Sequence, residues 1–173
     1  MKKLLSAEEM QAKLREMARA VAAVAPSDGP LAVVGIRRRG EYLAQRLARL
    51  LAERGLRPAH QGALDITLYR DDLTTIGPKA VVRSTDIGFD VTGTWLLLVD
   101  DVLYTGRSVR AALDALTDLG RPRAIRLAVL VDRGRRELPI QPDFVGLHLE
   151  TTPANVVKVK VREVDGEDGV DLS

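Results

Sequence analysis

Trp95-Leu96-Leu97-Leu98-Val99-Asp100-Asp101-Val102-Leu103-Tyr104-Thr105-Gly106-Arg107-Ser108 is the stretch whose reading decides the fold. Its apolar opening, Trp95 to Val99, reads as a strand buried on both faces, the kind a parallel sheet needs. Asp100 to Arg107 reads as the loop that leaves this strand, and Ser108 to Leu119 as a helix closed by Gly120. Ligands of open α/β sheets sit at the carboxyl ends of strands, so this exit is the first candidate site. Two adjacent acids leave the strand, and Thr105-Gly106-Arg107-Ser108 opens the helix where its dipole favours an anion. The layout suits a sugar phosphate. Backbone amides and the Thr105 and Ser108 hydroxyls would take the phosphate, and the carboxylates would take vicinal hydroxyls or a divalent ion.

The flanking sequence repeats the strand, loop, helix order. Ser6-Ala7-Glu8-Glu9 reads as a capping box, followed by Met10, Leu14, Met17, Val21 and Val24 at the spacing of one helix face. Leu31 to Ile36 is a second apolar strand, followed by the turn Arg37-Arg38-Arg39-Gly40 and a helix on Leu43, Leu47, Leu50 and Leu51. Ala63 to Tyr69 alternates as a strand would. Residues 70–90 are polar and Gly- and Pro-punctuated, and read as a long flap. Strands are expected again at Ile125 to Val131, around Phe144 to Leu149, and at Val156 to Val164. Repeated βα units of this kind imply an α/β fold, a mostly parallel central sheet with helices on both faces, in one domain spanning 1–173.

Composition narrows the chemistry. The chain has 173 residues, 46% hydrophobic and 29% charged, with no cysteine and two histidines. Disulfides, thiolate nucleophiles and cysteine-ligated metals are excluded, and a histidine-rich site has little to draw on. Carboxylates, arginines, hydroxyls and backbone amides must carry any reaction. No run approaches the length of a membrane span and the charged start does not resemble a signal segment, so a cytoplasmic protein is expected. The net charge of +2 is too small to argue for a polyanionic partner unless the basic residues cluster.

Leu96 to Ser108 resembles the 5-phosphoribosyl-1-diphosphate (PRPP) binding motif of the type I phosphoribosyltransferases. The resemblance extends to Gly35-Ile36-Arg37-Arg38-Arg39-Gly40, Asp65 to Leu73, Val131-Asp132-Arg133-Gly134 and Arg136 to Ile140, which together resemble the pyrimidine-operon attenuation regulators of that family. It covers nearly the whole chain. What it implies is a type I phosphoribosyltransferase-like fold with a flap at 70–90 and a small hood at 132–150. It further implies two activities: transfer of a phosphoribosyl group to uracil, giving UMP and diphosphate, and uridine-nucleotide-dependent (UMP or UTP) binding of a messenger-leader RNA hairpin. The implied cofactor is Mg²⁺ chelated mainly by PRPP, with Asp100 and Asp101 touching it mostly indirectly. Homodimers or higher homo-oligomers are usual in the family.

By the same resemblance, Asp100 and Asp101 are the catalytic pair, and Asp100, Asp101, Val102, Leu103, Tyr104, Thr105, Gly106, Arg107 and Ser108 bind PRPP or nucleotide. The leaving diphosphate needs cations, for which Arg37, Arg38, Arg39 and Arg70 are candidates, with Tyr69 or Arg83 brought up by the flap. Asp132, Arg133, Phe144 and Val145 are the expected base contacts. Pro142 to Gly146 also resembles the hood of hypoxanthine-guanine phosphoribosyltransferases, which leaves a purine enzyme without an RNA role as the alternative. Those enzymes carry a further Asp where this chain has Tyr104, and a phenol is a poor base at neutral pH, which favours a pyrimidine. For RNA, Arg15 and Arg19 share one stripe of the first helix with Gln11, and Lys158, Lys160 and Arg162 alternate with Val157, Val159 and Val161. Arg135 and Gln141 depart from the family, where His and a basic residue are common, and the second change bears on RNA affinity.

Overall fold

The computed structural model describes residues 1–71 and 85–173. Five strands form one parallel sheet: β2 (Leu31–Ile36), β3 (His60–Leu64), β4 (Trp95–Leu103), β5 (Ala124–Asp132) and β6 (Phe144–His148), ordered β3-β2-β4-β5-β6. The chain runs outward from β2 to β3 and then returns to place β4 on the other side of β2. The strand order therefore reverses between β2 and β4, and the crevice beyond their carboxyl ends is where such sheets bind ligands.

Side-chain alternation along β4 explains the layers. Leu97 and Val99 join the core beneath α1 (Ala7–Val24) and α2 (Arg39–Glu53), while Leu96 and Leu98 join the core beneath α3 (Arg107–Leu119). Helices thus cover both faces, as the repeated units imply. The capping box is formed: the Glu9 amide donates to Ser6 Oγ at 3.2 Å and the Ser6 amide to Glu9 Oε2 at 2.8 Å. Met10, Leu14, Met17 and Val21 are buried along α1, but Val24, expected on the same face, lies in the last turn and is exposed.

Four boundaries differ from the sequence reading. Asp100 to Leu103 continue β4 and pair with β5 as far as Asp132, so the acid pair stands on a strand and not in a loop. The segment after β3 turns into a 3-10 helix at Thr67–Tyr69, where the Thr67 amide and hydroxyl both donate to Asp65 Oδ1. Of the flap expected at 70–90, residues 72–84, Arg83 included, lie outside the described residues. Its last part packs back on β3: Asp86 bridges Ala63, and the Phe89 and His60 rings stack with centroids 4.5 Å apart.

The hood also differs. Within the expected 132–150, residues 144–148 are the edge strand of the main sheet. The small sheet is antiparallel and joins both ends of the chain, β1 (Lys2–Leu5), β8 (Gly169–Leu172) and β7 (Val157–Lys160), in the order β1-β8-β7. The expected strand to Val164 stops at Lys160, where Val161 leads into the single turn α4 (Arg162–Asp165).

Two glycines hold the crevice closed at its base. A Cβ at Gly35 would stand 2.3 Å from the Gly40 carbonyl oxygen, and one at Gly40 would stand 2.7 Å from the Val99 carbonyl oxygen. The first contact is backbone and cannot swing aside, so Gly35→Ala must push α2 away from β2. A loss of about 2–4 kcal/mol is expected from such overpacking. An unchanged midpoint in urea unfolding would show that the turn gives way without cost.

Candidate active site at the carboxyl ends of β2 and β4

Asp100 points into the floor of the crevice and is 7% exposed; Asp101 beside it is half-buried. The Asp101 amide donates to Asp100 Oδ1 at 2.9 Å, and the Val102 amide to Asp101 Oδ1 at 2.8 Å. Burial, reinforced by the neighbouring Asp101 carboxylate, pushes the Asp100 carboxyl well above its ordinary value. A buried acid next to a more accessible one can hold two adjacent hydroxyls, each carboxyl accepting from one of them.

The loop after β4 is shaped for an anion. Gly106 takes φ +94, and a Cβ there would meet Ile140 at 3.3 Å. The loop's carbonyls are turned away and occupied: Arg136 Nη1 donates to Tyr104 O at 3.0 Å, and the Glu137 and Leu138 amides donate to Thr105 O at 2.9 and 3.2 Å. The loop leads into the N-terminus of the thirteen-residue α3, whose Gly106 cap makes no side-chain hydrogen bond, an end of the kind that can receive an anion. A cavity of about 250 Å³ opens there between Thr105, Arg107, Ser108, Arg70 and Asp71.

On the opposite wall the three arginines of the β2–α2 turn are not equivalent. The Arg37–Arg38 peptide is cis. Arg37 Nε lies 3.5 Å from Glu41 Oε2, and Arg39 forms a bidentate pair with Asp165. Arg38 is exposed and has no ion pair among the described residues. Arg70 lines the cavity of the opposite loop, so only the three turn residues share one position.

The expected base contacts separate into different roles. Phe144 is 7% exposed and packs in the α1 core, so its ring belongs to the fold and not to a ligand platform. Val145, on the other side of β6, packs toward α3. Arg133 is buried: its guanidinium binds Thr151 Oγ1 and the Thr152 and Asn155 carbonyls, and lies 4.0 Å above the Tyr104 ring. It shapes the pocket by holding residues 151–155 against Tyr104. Asp132 accepts from Arg136 Nη2 and the Gly134 amide; burial alone would raise its carboxyl, but these donors hold it below the usual value. Two features escaped the sequence reading. Arg136, in an expected loop, pins Tyr104, Asp132 and Ile140 at once, and Val156, following the carbonyl held by Arg133, is 58% exposed.

Of the basic residues, Arg15, Arg19, Lys158 and Arg162 are exposed. Lys160 is not available: Glu167 and Asp171 bind its ammonium at 2.8 and 2.7 Å. Arg15 and Arg162 line one groove of about 620 Å³, together with Arg49 of α2, which the sequence reading had not singled out.

The acid pair, the loop before the α3 N-terminus and the facing arginine turn thus lie together at the switch point of the sheet. The model of the Phosphoribosyl transferase domain family matches residues 2–164. A "Bifunctional protein PyrR" of Thermus thermophilus is 58% identical over 169 residues, covering 98% of this chain and 93% of the relative. One from Deinococcus radiodurans is 50% identical, covering 98% and 92%. The chain belongs to the phosphoribosyltransferase family, in its PyrR branch. The fold is shared more widely: the hypoxanthine phosphoribosyltransferase of Trypanosoma cruzi superposes with a TM-score of 0.74 at 19% identity, covering 99% of this chain and 95% of that one. Among the described residues no helix is long and apolar enough to cross a membrane.

The raised Asp100 carboxyl sets a stability test. Between its unfolded and folded values the folded chain holds the extra proton, so folding weakens as pH rises through that interval. Asp100→Asn, which keeps an acceptor for the Asp101 amide, is expected to raise the melting temperature at pH 8. The difference should vanish at pH 4, and a variant less stable at both pH values would contradict the buried-charge account.

Proposed function

We propose that the chain transfers the phosphoribosyl group of PRPP to uracil, releasing diphosphate, and binds a messenger-leader RNA hairpin under the control of UMP or UTP. The acid pair beside the phosphate loop carries the first half of this reading. Uracil N1 bonds the anomeric carbon as the bond from that carbon to the diphosphate oxygen breaks, and N1 gives up its proton. Positive charge builds on the ribose ring between these events. Asp100 and Asp101 hold the ring through its hydroxyls and favour that charge, while the loop from Tyr104 to Ser108 anchors the 5-phosphate. Arg38, and Arg37 and Arg39 once freed from their carboxylates, neutralise the departing diphosphate.

Two carboxylates with no further acid or histidine clustered around them, among the described residues, suit an ion that takes most of its ligands from substrate oxygens and water. Mg²⁺ held in this way by PRPP, with Asp100 and Asp101 at its edge, would supply charge neutralisation of the diphosphate. Base choice is supported by Tyr104: the Arg133 guanidinium over its ring narrows the space, and a phenol does not replace the Asp that purine enzymes carry there.

The regulatory half is supported by Arg15, Arg19 and Arg162, exposed on or near one groove; phosphate contacts of this kind are sequence-independent and fall off with salt. Linkage between the nucleotide site and the RNA site would make UMP or UTP the effector. A homo-oligomer is the assembly proposed, to be read by sedimentation.

With uracil, PRPP and Mg²⁺ the protein is expected to form UMP. Asp101→Asn, folded as the wild type, should lose at least about 100-fold in turnover. Preference for hypoxanthine or guanine over uracil would move the reading to a purine enzyme. In an RNA titration at two salt concentrations, Arg15→Gln and Arg19→Gln should each weaken binding about threefold to tenfold, and UMP or UTP should tighten it. Binding that ignores nucleotide and disappears with salt for any RNA would leave only non-specific electrostatics.

A further inference from the structure

Every acid in the carboxyl-terminal segment 162–171 is paired with a base. Glu163 and Asp168 both bind Arg46, at 2.7 and 2.9 Å from Nη2. Glu167 and Asp171 bind Lys160. Asp165 accepts Arg39 Nη2 on Oδ1 at 2.7 Å and Arg39 Nε on Oδ2 at 3.1 Å, and its Oδ2 also accepts the Val161 amide at 2.9 Å. Arg39 and Arg46 are two turns apart on the same face of α2, so residues 161–168 form a strap laid along that helix.

One of these pairs differs from the rest. Arg46 serves only the strap, whereas Arg39 stands in the turn that faces the acid pair. A Cβ on its neighbour Gly40 would come within 3.4 Å of Asp100 Oδ1, and Asp101 bears on the Arg39 charge. The Arg39 guanidinium holds the Asp165 carboxyl below its ordinary value, which marks the pair as a charged one. Asp165 therefore occupies the bidentate fork that an oxyanion in the turn would need.

We infer that Asp165 is a positioning residue that competes with diphosphate for Arg39, so that filling the turn releases the carboxyl-terminal strap. This rests on the proposed phosphoribosyl transfer. When diphosphate takes the fork, Asp165 loses its partner and the α4 turn keeps only the Glu163–Arg46 pair as its tie to α2. Arg46 still holds the far end through Asp168, so the strap pivots instead of leaving. The same turn carries Arg162, whose side chain lines the groove with Arg15 and Arg49, and whose amide donates to Asp168 Oδ1 at 2.7 Å. Occupancy of the diphosphate turn is thereby transmitted to the groove lined by Arg15, Arg49 and Arg162 through a single exchange of partner.

Competition and mere bracing predict opposite signs. In calorimetric titrations of the full chain with magnesium diphosphate, Asp165→Asn removes the competing charge and is expected to tighten binding about threefold to tenfold. Asp165→Glu, which keeps the charge, should bind like the wild type. Glu163→Gln loosens the strap without touching Arg39 and should leave the affinity unchanged. In hydrogen exchange, saturating magnesium diphosphate should speed exchange at residues 161–166 of the wild type and change nothing there in Asp165→Asn. Weaker or unchanged binding by Asp165→Asn, or strap amides indifferent to saturating diphosphate, overturns the inference; the wild-type exchange experiment decides it even if the variants fold poorly. If the wild type forms UMP but shows either of these results, the inference alone falls. If it neither binds diphosphate nor forms UMP, the transfer reading falls with it.

Discussion

The approach of α2 to β4 is the contact on which the rest of the molecule turns. Gly35 and Gly40 leave no room for a side chain, and only this lets the arginine turn stand directly across from the acid pair. A wider spacing would part the arginine turn from the acid pair. The crevice is also what makes Asp100 expensive: a carboxyl seated against two packed backbones loses water and meets its neighbour's charge. Stability is spent at the place where a ligand's hydroxyls can return it.

The opposite wall is organised by satisfying carbonyls. Residues 136–138 take up the Tyr104 and Thr105 oxygens and so fix the loop that follows β4. Arg136 and Arg133 act as internal staples, one under the loop and one over the Tyr104 ring. Individual arginines thus brace the pocket, hold the carboxyl-terminal strap, or remain exposed on α1 and α2.

The buried parallel strands, their helices and the short turn at Tyr104 to Gly106 were legible in the sequence because apolar runs and Gly-marked helix starts have local causes, although the acid pair read as loop stands on the strand. The small sheet was not. β1 and β8 are four residues each and pair across the whole chain, and four residues carry too little periodicity to be seen. Phe144 illustrates the same limit at the site: its sequence neighbourhood resembles a base-binding hood, but strand register alone turns the ring toward α1. Lys160 and Arg39 illustrate it for charge. Alternation and turn position place a cation correctly, yet whether an acid more than a hundred residues away from Arg39 has claimed it depends on tertiary packing.

Because Lys2 pairs with Leu172, the small sheet has to bring together two segments with the whole main sheet between them in sequence. The main sheet pairs strands that lie closer in sequence, but the little sheet at its side can form only once residues 169–172 reach residues 2–5. Closing so long a loop is slow and entropically unfavourable. Before that closure the strap has no β8 to follow it, and the Arg39–Asp165 pair lacks the sheet that steadies its acid.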